Sequence, residues 1–376
     1  MLSKLEIQNF RNLAQVEIEL AAGLNIFRGS NAAGKTNLLE AIFLLSTGKS
    51  FRTARNRDLI KIESDFARVR GEAEILPLVS ESGENLTDEL SGKKLKLEVI
   101  IAGVSKGDSS KKEIVKNFRI NDGRVEGLKF VGQLPAVLFF PEEIDLLAAT
   151  PANRRKFLNL ILVQSNSQYL QNISEYQKIL RARRALLLNY KIGRTKEGDF
   201  DFWDEKLVLL AQAIWQERIS LIDFLNNNFS QEYQELGGKK AEYIIRYHGL
   251  RDNLRGDLKK NLKYDAEHGV TSAGPHRDNW SVMQDQKDLA IFGSRGEWRL
   301  CVLALKFTVA KFFQIKTKHL PIILLDDPLS ELDEAKTIAI LKRLEGQQVI
   351  LTMHDQIPNI NQGKVFEVKE GMVKNL

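Results

Sequence analysis

The sequence predicts an α/β domain split by a helical insertion, and three observations predict it. Short strand-like runs fill the first third of the chain. Charged and apolar residues interleave at helical spacing through the middle. Strand and helix signals return near Val270 and continue to the end. The expected division is 1–135 for the first part of the α/β domain, 136–270 for a helical insertion or lid, and 271–376 for the second part. With 376 residues, 43% hydrophobic and 28% charged, the chain can bury two or three such units.

Taken in order, Leu5 and Ile7 alternate with polar residues, as do Val16, Ile18 and Leu20, and "GLNIF" adds a short apolar strand. A glycine loop follows, then an amphipathic helix carrying Leu38, Leu39, Ile42, Phe43 and Leu45. "LPLVSESGENLTDELSGKKLKLEVIIAG" and "NFRINDGRV" read as further strands around a polar loop, and "PAVLFF" as a strand closed by Pro141. From Arg154 to about Tyr190, and from Phe202 to about Leu236, two long helices are joined by the turn "KIGRTKEGD". "GGKKAEYIIRYHGLRDNLRGDLKKNLK" is basic and mixed. "FGSRGEWRLCVLALKFTVAKFF" reads as a loop entering a helix, and "LPIILLDD" and "QQVILTMHD" as buried strands.

Composition excludes several classes. No apolar run reaches the roughly 18–20 residues that cross a bilayer. "MLSKLEIQNFRNL" alternates like a strand and lacks the unbroken apolar centre of a signal peptide. The single cysteine, Cys301, sits in an apolar helical run, so an intramolecular disulfide is excluded and a reducing, cytoplasmic setting is expected. Fifty-five Lys and Arg against 49 Asp and Glu leave a net charge of +6, which permits contact with an anionic polymer without establishing it.

The glycine loop, Gly29-Ser30-Asn31-Ala32-Ala33-Gly34-Lys35-Thr36, matches the phosphate-binding pattern G-x-x-x-x-G-K-[ST] in full, between a strand and a helix. Glycines let successive N–H groups turn inward on phosphate oxygens; Asn37 continues the cradle into the helix. Lys35 reaches the terminal phosphates and the Thr36 hydroxyl holds Mg²⁺. Far along the chain, with Asp326 lying 290 positions after Thr36, the apolar strand "IILL" ends on Asp326 and Asp327. Asp326 is expected to take the metal and Asp327 to polarise the attacking water. Such separation is what an insertion within a nucleotide domain produces. Ser294, Arg295, Gly296 and Glu297 stand in a glycine turn at a helix start, an anion site by type.

At these residues the chain resembles an ABC-type ATPase. Gly29–Thr36 looks like Walker A, Ser294–Glu297 like the signature, Ile322–Asp327 like Walker B, Ser330 to Asp333 like the D-loop, and His354 like the switch histidine. More narrowly it resembles the RecF family of bacterial recombinational repair proteins. The matches are "LEIQNFRNL", "GSNAAGKTNLLEAI", "GKSFR", "FFPEEIDLLAATPANRRKFLN", "TSAGPHRDNW" and "DDPLSELDEAK", in the family's order from end to end. Ala149 and Asn159 depart from its pattern, Trp298 follows the signature where a small or polar residue is usual, and no glutamine ends "PAVLFF".

The resemblance implies an ABC-type P-loop ATPase head, related to SMC proteins, with a short arm or lid. ATP and Mg²⁺ would be the cofactors, Lys35, Asp327 and His354 the catalytic residues. The signature at Ser294 and Gly296 of one copy would complete the site of another in an ATP-bridged homodimer, and Ser330 and Asp333 would be further nucleotide-binding residues. It further implies slow, DNA-stimulated ATP hydrolysis, binding to double-stranded or gapped DNA, RecO and RecR mediators, loading of the RecA recombinase, and a nucleoid-associated cytoplasmic location. Arg52, Arg55 and Arg57 are candidates to face DNA phosphate, as are Lys239, Lys240, Arg246, Arg251, Arg255, Lys259 and Lys260. Arg154 and Arg155 are expected to pair with acidic neighbours, while His276 and Arg277 either brace a turn or act at a site. Two other readings stay open: an ATP-switched binding platform with negligible hydrolysis, and a transport-type ATPase subunit. An overcoming-lysogenisation-type nuclease is opposed by the short tail after "LTMHD".

Overall fold

The computed structural model describes residues 1–74, 94–105, 112–327, 340, 343–354 and 363–376. They form two compact units, Met1–Glu143 with Lys306–Leu376, and Ile144–Leu305. The first unit opens with β1 (Leu2–Phe10), β2 (Leu13–Glu19), β3 (Leu24–Arg28) and α1 (Lys35–Thr47). It continues with β4 (Phe66–Glu74), β5 (Lys94–Ser105), β6 (Lys112–Ile120), β7 (Gly123–Val125), α2 (Gly127–Phe130) and β8 (Ala136–Phe139). The second unit holds α3 (Pro151–Ser165), α4 (Ser167–Lys191), α5 (Asp201–Glu235), β9 (Tyr243–His248), α6 (Leu254–Lys260) and α7 (Leu262–His268). After β10 (Asn279–Gln284), β11 (Lys287–Asp288) and α8 (Leu289–Phe292), helix α9 (Arg295–Thr317) begins there and ends in the first unit. The first unit is completed by β12 (Ile322–Asp326), β13 (Val349–Met353), β14 (Lys364–Lys369) and β15 (Met372–Asn375).

Two sheets build the first unit. One is antiparallel, in the order β2-β1-β4-β5-β6-β7; the other runs β15-β14-β3-β13-β12-β8 and is parallel apart from its edge strand β15. Every residue of β8, β12 and β13 is buried, as strands covered on both faces must be, and their near-continuous apolar sequences follow from that. In β2 only Leu13, Val16 and Ile18 are buried, the mark of a sheet wet on one face. Gln348 ties the two sheets together: its amide oxygen accepts from Leu2 N and its nitrogen donates to Leu2 O, both at 2.7 Å. The polar loop expected after "GEAEI" lies outside the described residues.

The expected boundaries at 135 and 270 differ from this division for reasons of pairing. β8 belongs to the parallel sheet through β12, which carries the first unit on to Glu143. β10 pairs with β9, which holds the chain in the second unit until Leu305. The helix expected over 154–190 is two helices, because Asn166 leaves helical geometry (φ −147°, ψ 107°) and its side chain caps α4 by accepting from Tyr169 N. The insertion is also more than a helical hairpin, since α5 packs on β9 and α4 on α7.

Buried charge fastens the second unit. Arg183, fully buried, donates to Asp204 at 2.7 Å, Asp265 at 2.8 Å and Thr271 at 3.0 Å. Arg218 donates to Asp278 and to the Pro275 carbonyl, both at 2.7 Å, and to Asn159 Oδ1 at 2.9 Å; Trp215 and Tyr247 also donate to Asp278. Removing one partner of such a buried pair costs about 3–5 kcal/mol, because the other charge is stranded. Among the described residues Arg154 and Arg155 do not pair with acidic side chains as expected. Their guanidinium groups donate to the backbone carbonyls of Leu147 and Asp278 at 2.9 and 2.7 Å, which orients the start of α3 on the turn before β10.

His276 braces that turn. Its Nε2 faces the Thr271 carbonyl at 2.8 Å and so carries the proton; its Nδ1 accepts from the Tyr176 hydroxyl, also 2.8 Å away. Burial pushes the imidazole down to about 4 from the ordinary value near 6.5. Between those values the unfolded chain binds a proton that the folded chain refuses, so stability falls as pH drops through that window. His276→Gln keeps an amide donor for Thr271 and removes the titration. Comparing urea midpoints at pH 7 and pH 4.5, the variant is expected to lose clearly less stability on acidification than its parent. An equal loss in both would contradict the assignment.

Candidate nucleotide site

The site grows from the carboxyl edge of the parallel sheet, where open α/β sheets bind ligands. β3 ends at Arg28, the loop Gly29 to Gly34 follows, and α1 begins at Lys35. A Cβ on Gly29 would overlap the Val368 carbonyl oxygen of β14, so only glycine lets the loop leave the sheet here. Gly34 has φ +117°, and a Cβ there would lie 2.9 Å from Asn12 Oδ1. Ala32 also adopts positive φ, at +62°, and Ser30 O accepts from Ala33 N within the loop. Lys35 lies back across the curl, donating to the carbonyls of Gly29 at 2.7 Å and Ser30 at 2.9 Å. Burial lowers its pKa, with Asp327 and then Asp326 acting in the opposite direction.

The two distant motifs meet. Thr36 Oγ1 is 3.1 Å from Asp326 Oδ1, and Thr352 Oγ1 of the neighbouring strand donates to the same oxygen at 2.6 Å. The register places Asp326 opposite Thr352 and Thr352 opposite Phe27, so β13 lies between the two motif strands. Burial raises the Asp326 pKa, against the hydrogen bonds from Thr352 and Thr36. A hydroxyl and a buried carboxylate side by side are hard oxygen donors of the kind Mg²⁺ takes alongside phosphate oxygens, and a cation there would offset the cost of the buried charge. The residues therefore fit the metal. Among the described residues no cluster of three or more His, Cys, Asp or Glu suits an ion held by protein alone.

Asp327 follows in the left-handed region, φ +42°, its N–H bonded to both oxygens of Thr352. His354 stands exposed just past β13. Ser330 and Asp333 lie outside the described residues. An open cleft of about 1140 Å³ joins Asn31, Ala32, Gly34, Lys35, Thr36, Asn37, Asp326 and Asp327 to Arg11, Asn12, Arg52 and Glu142. The last four carry no signal as nucleotide-site residues in the sequence. Asn12 comes from the β1–β2 turn, accepting from Asn37 Nδ2 at 2.7 Å and donating to the Ala32 carbonyl at 3.3 Å. Glu142 stands just beyond β8, where "PAVLFF" has no glutamine.

Ser294, Gly296 and Glu297 belong to the second unit. Ser294 Oγ accepts from Glu297 N at 3.3 Å, and Glu297 Oε2 accepts from Ser294 N at 2.9 Å, a capping box at the start of α9 that S-x-x-E spells out. Lys239 at 2.9 Å, then the Ser294 contacts, hold the Glu297 carboxyl down at about 2. Trp298 is used within the chain, donating from Nε1 to the Leu289 carbonyl at 2.7 Å and so fastening α8. Gly296 is different: it has no positive φ, and a Cβ there would meet nothing within 4 Å. No requirement within its own described chain explains a glycine in that turn.

A parallel sheet with a phosphate loop at its edge, a metal-competent Thr–Asp pair and a capped signature turn define an ABC-type P-loop ATPase head. The model of the RecF/RecN/SMC N terminal domain family matches residues 1–371. The chain is 30% identical to the DNA replication and repair protein RecF of Thermoanaerobacter sp. (strain X514), covering 98% of both chains. It is 33% identical to the protein so named in Geotalea daltonii, covering 99% of each. A solved structure of the recombination mediator protein RecF with ATP, in the RecFOR pathway, superposes with a TM-score of 0.87 at 28% identity over 100% of this chain and 97% of that one. An SMC head bound to ScpA shares the fold, with a TM-score of 0.54 at 18% identity. The chain belongs to the RecF family.

Proposed function

We propose that this protein is an ATP-dependent DNA-binding ATPase of recombinational repair and replication-fork maintenance. It closes into an ATP-bridged homodimer on duplex or gapped DNA, hydrolyses ATP slowly, and with RecO- and RecR-type mediators helps load the RecA recombinase. The observation that carries the reading is the Thr36–Asp326 pair at 3.1 Å beside Lys35, assembled from opposite ends of the chain. The RecFOR setting of its structural relative supports the pathway, and ATP in that relative supports the nucleotide.

In this reading the loop N–H groups and Lys35 bind the β- and γ-phosphates. Thr36 and Asp326 hold Mg²⁺, which when bound neutralises charge developing on the phosphates. Asp327 orients the attacking water, and His354 reaches the γ-phosphate. Ser294 and Gly296 of a second copy close over that phosphate, and the open space beside Gly296 leaves room for the approach. Ser330 and Asp333 are further nucleotide-binding residues in this reading. Because the dimer forms only around nucleotide, ATP opens and closes a basic groove for DNA.

The test is retention of a gapped duplex by the purified protein with ATP·Mg²⁺, with ADP·Mg²⁺ and without nucleotide, across a salt series. Retention is expected with ATP, falling steeply as salt rises because phosphate contacts release counterions. Equal retention in all three states would reject the ATP-gated reading, and a flat salt profile would reject backbone contact.

A further inference from the structure

We propose that in the unpaired chain Glu297 occupies the signature serine, and that Lys239 is the positioning residue that draws it aside; this rests on the composite-site reading above. In the sequence Lys239 opens a basic segment, "KKAEYIIRYHGLRDNLRGDLKK", that suits a DNA face. The fold takes its ammonium elsewhere, to the turn that opens α9, 2.9 Å from Glu297 Oε1.

Three donors converge on that one carboxylate. Ser294 supplies two of them to Oε2, its N–H at 2.9 Å and its hydroxyl at 3.0 Å, and Lys239 supplies the third to Oε1. A backbone N–H, a hydroxyl and an ammonium are also what a phosphate takes. In the composite site the Ser294 donors belong to the terminal phosphate held by a second copy. They have one proton each, so they cannot serve both anions in full. The Glu297 carboxyl, held down at about 2, is ionised at any working pH and would repel the phosphate as well. Closing two copies therefore requires Glu297 to leave Ser294.

Lys239 offers the carboxylate a place to go. Its side chain is 74% exposed against 22% for Glu297, and among the described residues only one of its N–H groups is engaged. The pair can swing outward together, leaving no unpaired charge where the phosphate docks. Arg295, the other cation of the turn, is committed to Asp145 at 2.9 Å and lies over the Trp298 ring. The backbone of Lys239 is anchored. A Cβ on Gly238 would overlap the Tyr233 ring, and the Gly238 N–H donates to the Tyr233 carbonyl at 2.9 Å. The Tyr243 hydroxyl donates to the Lys239 carbonyl at 3.4 Å, and both tyrosines are buried. An anchored backbone beneath an exposed ammonium suits a residue that receives a carboxylate. Without it, Glu297 keeps Ser294 and stands uncompensated before the phosphate.

The experiment measures the monomer–dimer equilibrium of the full chain with ATP·Mg²⁺ by sedimentation, beside binding of a fluorescent ATP analogue and urea midpoints. Lys239→Ala is expected to weaken association about tenfold, and Glu297→Gln, which keeps an acceptor for the cap, to strengthen it about tenfold. Lys239→Arg stays with the parent, and the urea midpoints move little because an exposed pair contributes little to stability. In the Glu297→Gln background Lys239→Ala changes nothing, since no charge remains to be drawn aside. A further loss of association there would put Lys239 on the phosphate itself and overturn the positioning role. Weaker association in Glu297→Gln would overturn the occupancy of Ser294. Parent-like association in both single variants, while Ser294→Arg fails to dimerise, overturns this proposal and leaves the composite site intact. Parent-like association with lost DNA retention in Lys239→Ala returns that residue to a DNA face. A parent that binds the analogue yet stays monomeric overturns the composite site and this proposal together.

Discussion

Lys35→Met is expected to abolish ATP-dependent association and to weaken ATP binding by at least about a hundredfold, the scale of losing a charge-assisted contact to phosphate. The lysine now bridges the Gly29 and Ser30 carbonyls, so its ammonium is already held at the mouth of the loop. Methionine has similar length and no charge, and it leaves intact the packing of β3 and of α1, whose Leu38, Leu39, Ile42 and Leu44 are fully buried. The variant should fold, with unaltered far-ultraviolet dichroism, and fail to bind. Nucleotide affinity close to the parent would show that the Gly29–Thr36 loop is not the phosphate site.

Ser294→Arg tests the proposed composite site by separating its two halves. Nucleotide affinity is expected to stay near that of the parent, whereas dimerisation on ATP is expected to vanish. Losing the cap costs about 1 kcal/mol of stability, too little to unfold the second unit. Gly296→Ala sharpens the test. Its methyl group enters open space in this chain, and alanine in a helix gains roughly 0.5–1 kcal/mol over glycine, so the variant should be as stable as the parent or slightly more so. Weakened dimerisation in that variant would then trace to the partner's approach. Mixing Lys35→Met with Ser294→Arg copies restores one intact site per heterodimer, and association should return in the mixture alone. Normal ATP-driven dimers of Ser294→Arg would refute the composite site.

What could be read from the sequence was local or strongly patterned. Gly29–Thr36 declares itself because its spacing is the mechanism, and "IILLDD" because a strand buried on both faces must be apolar up to the residue that works. The helix start at Ser294–Glu297 was legible too, as a glycine turn, whereas its capping box came from the structure. The break at Asn166 was not, because one capping asparagine inside a continuous helical pattern looks like any polar surface residue. Nor were the places of Asn12, Arg52 and Glu142 in the cleft, which the fold sets by bringing together segments far apart in the chain. Arg52 is instructive: its neighbours suggest a solvated basic face, and only Glu40 and Asn37 turn it to the cleft. The domain limits moved because β8 and β10 each pair across the expected boundary.

The central claim, that ATP joins two copies, is tested most directly by sedimentation velocity of the purified protein alone, with ATP·Mg²⁺, and with ATP·Mg²⁺ plus gapped duplex. A shift from monomer to dimer on adding ATP·Mg²⁺, strengthened by the duplex, is the predicted result. A monomer in all three conditions, under nucleotide concentrations that saturate the site, would contradict the account.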